Sequence, residues 1–240
     1  AVHSSKDMPT GLPVGLSLSA FLPREDACDA FVSRKTKTRQ TLPHGATLGT
    51  ASLRRQALAN RLRPDLQVAP LRGNVDTRLR KIDAGEADAP LLAVAGLKRL
   101  GLLSAATAVL EIDEFLPAVG QGALALVTRS DDAGTGALLA TLHDPGAAAC
   151  VLAERALLHA LEGGCQVPIG ALATVAGDML HLDALVAGVD GRPLLRASYR
   201  GPLGQPADLC WRLAGRLLRY GAGELIAATR AAAELPVSAA

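Results

Sequence analysis

Between residues 46 and 95, short apolar runs alternate with helical patterns, and small residues mark the turns between them. Residues 46–49 read as a strand and 52–62 as a helix capped by Thr50 or Ser52. Residues 66–69 read as the next strand and 74–84 as a helix ending near Gly85. Residues 89–95 are continuously apolar, as expected of a strand buried on both faces. Few folds accept this β-α-β-α-β order. Parallel neighbours need a long crossover, and the crossover helices must cover the sheet. An α/β domain with a mainly parallel sheet is therefore predicted.

The flanking segments read differently. Residues 15–22 and 30–33 are strand-like, separated by the charged joint 23–26. Residues 115–123 are rich in Gly and Pro, suit a crossing between domains, and lead into a strand at 124–128. A polar stretch over 129–136 precedes a helix at 147–161 that stops at Gly163-Gly164. Three strands at 171–176, 180–188 and 194–200, joined by Gly-Asp and Asp-Gly turns, predict an antiparallel meander. Helices over 209–220 and 224–233 complete a small α+β unit.

The net charge of +2 conceals a segregation. Residues 34–81 hold twelve Lys and Arg against two acids, a surplus of ten positive charges; the rest carries a surplus of eight negative ones. Twenty of the 25 basic residues are Arg, whose planar fork suits carboxylate or phosphate. Only six residues are aromatic, against base-stacking nucleic-acid binders. No run of 18 apolar residues suggests a membrane span, and the first residues lack the charged and apolar regions of a signal peptide. A cytoplasmic protein with reduced thiols is expected. The four cysteines form no CxxC pair, and the five histidines no HxxxH or HExxH, so no metal site is predicted.

Four clusters could carry chemistry. His3-Ser4-Ser5-Lys6-Asp7 reads as a loop that offers a carboxylate beside cationic and hydroxyl groups, or as a merely solvated turn. Ser52-Leu53-Arg54-Arg55 opens a helix with two cations at the positive end of its dipole. That placement is sensible if an anion docks there, although a surface helix with exposed arginines is the alternative. Arg72-Gly73-Asn74 with Arg78 repeats the design, and in a parallel sheet both turns fall at one carboxyl edge. Cys165 follows a double glycine, either as a reactive or ligand-bearing thiol or as a small buried apolar residue.

In this order the strings HSSKDMP, REDACDAF, LGTASLRRQ, LRGNVDTRL, LLAVAGLKRLGL, LPAVGQGALAL, AERALL and LEGGCQVPIG resemble porphobilinogen deaminase, also called hydroxymethylbilane synthase. The resemblance implies a transferase of heme biosynthesis that joins four porphobilinogen molecules head to tail with loss of ammonia. It implies a dipyrromethane cofactor held by a thioether to Cys165. Asp7 would stabilise the positive intermediates formed as ammonia leaves. Lys6, Ser4, Ser52, Arg54, Arg55, Arg72, Gly73 and Arg78 would bind substrate or cofactor carboxylates. Ala51 stands where the family often has Ser.

The family fold comprises two periplasmic-binding-protein-like domains and a small C-terminal α+β domain. Domain 1 is expected over 1–22 and 122–140, domain 2 over 27–117 and domain 3 over 145–240. The family carries a further segment ahead of HSxKD that this sequence does not show, so domain 1 is expected to lack part of its sheet and activity to be reduced. A monomer with no nucleic-acid or membrane partner is expected. The alternatives are a non-catalytic module that binds small carboxylates and, through the basic segment, a nucleic-acid binder.

Overall fold

A computed structural model describes residues 1–162 and 167–234. The strands are β1 (Val2–Ser4), β2 (Leu16–Phe21), β3 (Asp29–Phe31), β4 (Thr47–Gly49), β5 (Gln67–Ala69), β6 (Ala89–Ala93), β7 (Ala108–Val109), β8 (Leu124–Arg129), β9 (Ile169–Ala176), β10 (Met179–Ala187) and β11 (Leu194–Pro202). The helices are α1 (Leu53–Leu62), α2 (Val75–Asp83), α3 (Val94–Arg99), α4 (Ala133–Ala140), α5 (Pro145–Ala160), α6 (Pro206–Arg219) and α7 (Ala222–Glu234). The fold is mixed α/β. Among the described residues, no single helix is long and apolar enough to cross a membrane.

The central sheet has the order β5-β4-β6-β3-β7. β4 pairs in parallel with β5 and β6, as the alternating pattern requires. β3 is antiparallel to both β6 and β7, so the sheet is parallel in one half only. The reason is topological. β3 enters from the neighbouring sheet through residues 22–28 instead of through a helical crossover.

The apolar run 89–95 is not one strand: it ends at Ala93, and Val94 begins α3. Val94, Ala95 and Leu97 are buried like the strand before them, so burial on every side erased the change of period. α1 starts at one of its two expected caps, Ser52, and α2 has a side-chain cap in Asn74. Ser52 Oγ accepts from the Arg55 amide and Asn74 Oδ1 from the Thr77 amide.

A smaller sheet, β1-β8-β2, is antiparallel. The His3–Asp7 cluster is thus not a plain loop. His3 and Ser4 pair with β8, and Ser5–Asp7 form a 3-10 turn. The three C-terminal strands form the expected meander, in the order β11-β10-β9. Helix α5 serves two cores. Ala148 and Val151 pack under the small sheet, whereas Cys150, Ala153 and Leu157 pack into the meander unit.

Candidate functional site

A cavity of about 500 Å³ lies where these units meet. Such a volume suits a small-molecule ligand. The 3-10 turn Ser5–Asp7, the turn at 50–52, the start of α1, Arg78 of α2, and Ala118, Val119 and Gln121 all contribute to its wall. Leu158, Val167 and Ile169 close it with an apolar side. Among the described residues, five cations, Lys6, Arg54, Arg55, Arg78 and Arg155, line it against one carboxylate, Asp7.

Local chemistry sets each wall. The Ser5 amide donates to Ala123 O at 3.0 Å, fixing the 3-10 turn to the start of β8. Gly120 backs the same turn. Its φ is +71°, and a Cβ there would sit 2.6 Å from Ser5 Oγ, so glycine is required. Asp7 is exposed at the cavity, and Lys6 is half-buried beside it. Burial, with help from the Arg55 and Arg54 charges, lowers the Lys6 pKa to about 8 against the opposing pull of Asp7 and Asp29.

Arg54 and Arg55 are both buried, so the alternative of exposed surface arginines fails. The anion that their position at the helix start demanded includes a residue of the protein itself. Asp29, fully buried on β3, accepts from Arg55 Nε at 3.0 Å and Nη2 at 2.6 Å. Arg54 Nη2 lies 2.8 Å from its other oxygen. Burial alone would raise the Asp29 pKa. The two guanidiniums, with hydrogen bonds from Arg55 and Gln121, outweigh burial and hold it below the ordinary carboxylate range. Arg78 is half-buried, and its Nε donates to Gly73 O at 2.8 Å.

The structure thus brings Lys6, Asp7, Ser52, Arg54, Arg55 and Arg78 to one cavity. Ser4, Arg72 and Gly73 are not among its lining residues. Ser4 ends the β1 strand, and Arg72 is exposed on the turn before α2. Gly73 acts at one remove, its carbonyl holding Arg78. Its φ of +122° requires glycine at that turn. Cys165 lies outside the described residues, and its described chain neighbour Val167 lines the cavity. Among the described residues, no group of three or more His, Cys, Asp or Glu is placed to hold a metal ion.

Residues 1–137 match the family "Porphobilinogen deaminase, dipyromethane cofactor binding domain", and residues 148–219 match "Porphobilinogen deaminase, C-terminal domain". A porphobilinogen deaminase of Desulforudis audaxviator is 52% identical over 97% of this chain and 75% of its own length. One from Nitrobacter hamburgensis is 51% identical over 93% of this chain and 71% of its own, and one from Chromobacterium violaceum 51% identical over 96% and 75%. The chain belongs to the porphobilinogen deaminase family.

Three residues at or behind the cavity wall had no role assigned from the sequence. Arg155 sits within α5, where Nη2 donates to Pro9 O at 2.6 Å and Thr10 O at 3.0 Å, steadying the loop after Asp7. Asp29 and Gln121 are buried partners of the arginine pair, and the Gln121 amide donates to Asp29 Oδ1 at 2.9 Å. The one available signal was an ionisable residue inside an apolar segment: Asp29 in β3, and Glu154 with Arg155 on the buried stripe of α5.

Proposed function

We infer that this chain condenses four porphobilinogen molecules into the linear tetrapyrrole hydroxymethylbilane, with release of ammonia, in porphyrin and heme biosynthesis. One observation carries the reading in a chain of this family. Among the described residues, five cations face a cavity with a single exposed carboxylate, Asp7, on a fixed turn. Each porphobilinogen brings two carboxylates, so a growing chain concentrates negative charge where arginines can bind it bidentately.

The wall also suits the family's dipyrromethane cofactor. Ser5 Oγ, Arg54 Nε and Gln121 Oε1 are buried without a hydrogen-bond partner among the described residues, and all three residues line the cavity. Buried polar atoms of this kind call for a polar ligand or water. Arg54, Arg55 and Arg78 would hold carboxylates of cofactor and substrate, with Lys6 beside them and Ser52 shaping the turn. Arg72 and Ser4 would act from the rim, and Gly73 through Arg78. When bound through Cys165, the cofactor supplies the pyrrole carbon to which the first substrate is joined. Asp7 would hold the pyrrole N–H groups and stabilise positive charge as the carbon–nitrogen bond of the substrate breaks.

On this reading, residues 1–22 with 122–140 and residues 27–117 are two periplasmic-binding-protein-like domains, and 145–240 is the third. The apolar clusters follow the division in the main, although Leu185 and Ala187 of β10 join the central-sheet cluster and Ala148 and Val151 of α5 join that of the small sheet. The same reading takes the enzyme as a cytoplasmic monomer without nucleic-acid or membrane partners.

Intact-chain mass spectrometry tests the assignment. The purified chain is expected to carry the added mass of two linked pyrroles, absent in Cys165→Ser together with all ammonia release from porphobilinogen. An active chain with unmodified Cys165 would overturn it. Carboxylate binding without ammonia release would favour the binding-module alternative.

Lys6 gives a second prediction. Its charge is present below pH 8 and lost as pH rises through about 8. Free-enzyme titrations govern kcat/KM. kcat/KM is therefore expected to decline through pH 8, and Lys6→Arg, charged at all working pH values, to move that limb upward. The same limb in Lys6→Arg would exclude Lys6 as its source.

A further inference from the structure

We propose that Asp29 is a positioning residue of the deaminase reaction: it bridges Arg54 and Arg55 from behind so that the pair presents one fixed carboxylate-binding edge to the cavity. The proposal rests on the activity inferred above and assigns a role to a residue that does not itself line the cavity.

Two adjacent arginines at a helix start repel each other and the helix dipole. Left alone they would splay apart, or one would turn to solvent. Here both are buried, because Asp29 sits between them. The two guanidiniums are not equivalent. Arg55 is tied on three nitrogens by protein acceptors: Nε and Nη2 to Asp29, and Nη1 to Leu91 O at 2.7 Å. Arg54 is held more loosely. Nη1 donates to Leu116 O at 2.7 Å, while Nη2 lies 2.8 Å from Asp29 Oδ2 outside hydrogen-bonding alignment. Its Nε has no partner among the described residues. Arg55 is thus the anchored member, and Arg54 keeps donor capacity for a ligand.

Asp29 is itself held. It is the first residue of β3, directly after the 22–28 crossing, and the Gln121 amide reaches it from the other crossing. That amide also donates to Ala27 O at 2.7 Å. Both crossings between the sheets therefore converge on the carboxylate that orients the arginines.

Orientation and simple electrostatics predict opposite signs. Asp29→Asn removes a negative charge beside an anion site. If charge alone mattered, porphobilinogen would bind more tightly. If Asp29 positions the pair, binding weakens despite the added positive charge. The experiment compares wild type, Asp29→Asn and Asp29→Glu as cofactor-loaded enzymes, with loading read from intact mass and rates expressed per loaded site. The expected result is KM for porphobilinogen raised about tenfold or more in Asp29→Asn, with kcat changed less than about threefold, the signature of lost uniform binding. Asp29→Glu keeps the charge and shifts the carboxylate by one methylene, and an intermediate rise in KM is expected.

A merely structural role would lower the melting temperature and the loaded fraction and leave KM unchanged. Unchanged or lowered KM in both variants overturns the proposal. Asp29→Glu alone decides it if Asp29→Asn does not fold. Porphobilinogen binding by calorimetry gives the same comparison without turnover. An inactive wild type would therefore count against the activity reading alone, while the Asp29 comparison stays readable.

Discussion

Asp7→Ala is expected to lower kcat for ammonia release by about a thousandfold or more while leaving the melting temperature nearly unchanged. The activity loss follows from where the carboxylate sits. The reaction develops positive charge as ammonia leaves, and a preorganised opposite charge in a partly desolvated cavity contributes about 3–4 kcal/mol when aimed at such a centre. Asp7 is the only carboxylate among the described residues that line the cavity. Its backbone does not depend on its side chain. The turn is held by the Ser5 amide on Ala123 O and the Met8 amide on Ser5 O, and Met8 is buried. An exposed side chain cut back at such a place costs within about 0.5 kcal/mol of stability. Asp7→Asn separates charge from shape. It should be nearly as inactive as Asp7→Ala, because the amide keeps the outline without the negative charge. A loss smaller than tenfold in both variants, measured on cofactor-loaded enzyme, would remove Asp7 from the role.

The sequence exposed features set by local chemistry and hid those set by topology. Ser52 marked the start of α1 because capping needs only a few consecutive residues. The meander was legible for the same reason, since its turns carry their own glycines. The run 89–95 misled because strand and helix are equally apolar when both are buried. The antiparallel direction of β3 was hidden because it depends on where the chain arrives from.

At the site, Arg54, Arg55 and Arg78 were readable as cations at helix starts. Their distribution of work was not. The partner of the arginine pair, Asp29, lies 25 residues ahead of Arg54, and only the sheet order brings them together. Gly73 was read as a possible ligand contact, and the bond from Arg78 Nε to its carbonyl was not legible. Arg155 sits in mid-helix, where its place on the apolar stripe of α5 marks it as buried but does not say which cavity it faces. The thioether role of Cys165 came from family resemblance, because a lone cysteine after two glycines has no chemistry of its own to declare.

Glu154→Ala is expected to be the most destabilising single change at the junction of the units, by about 3–5 kcal/mol. For a chain of this size that is a fall in melting temperature of roughly 6–20 °C. Glu154 is fully buried on α5, and its carboxylate has four donors. Arg24 of the 22–28 crossing gives it Nη1 at 2.5 Å and Nη2 at 3.2 Å. The Gly120 amide of the second crossing donates at 2.7 Å, and the Ala173 amide of β9 at 2.8 Å. One side chain therefore ties both crossings to the helix and the meander. Alanine would strand Arg24, only 13% exposed, and two amides together. Leaving buried donors unmade costs more than the bonds contribute when formed. Arg24→Leu should also be strongly destabilising, because it leaves the fully buried Glu154 carboxylate without its counter-charge although both amide donors remain, and the Arg24→Leu/Glu154→Ala pair should be less unstable than the two losses added. Thermal unfolding of the four proteins measures that coupling directly. Additive losses would mean that Arg24 and Glu154 support the junction independently, contrary to the shared carboxylate seen here.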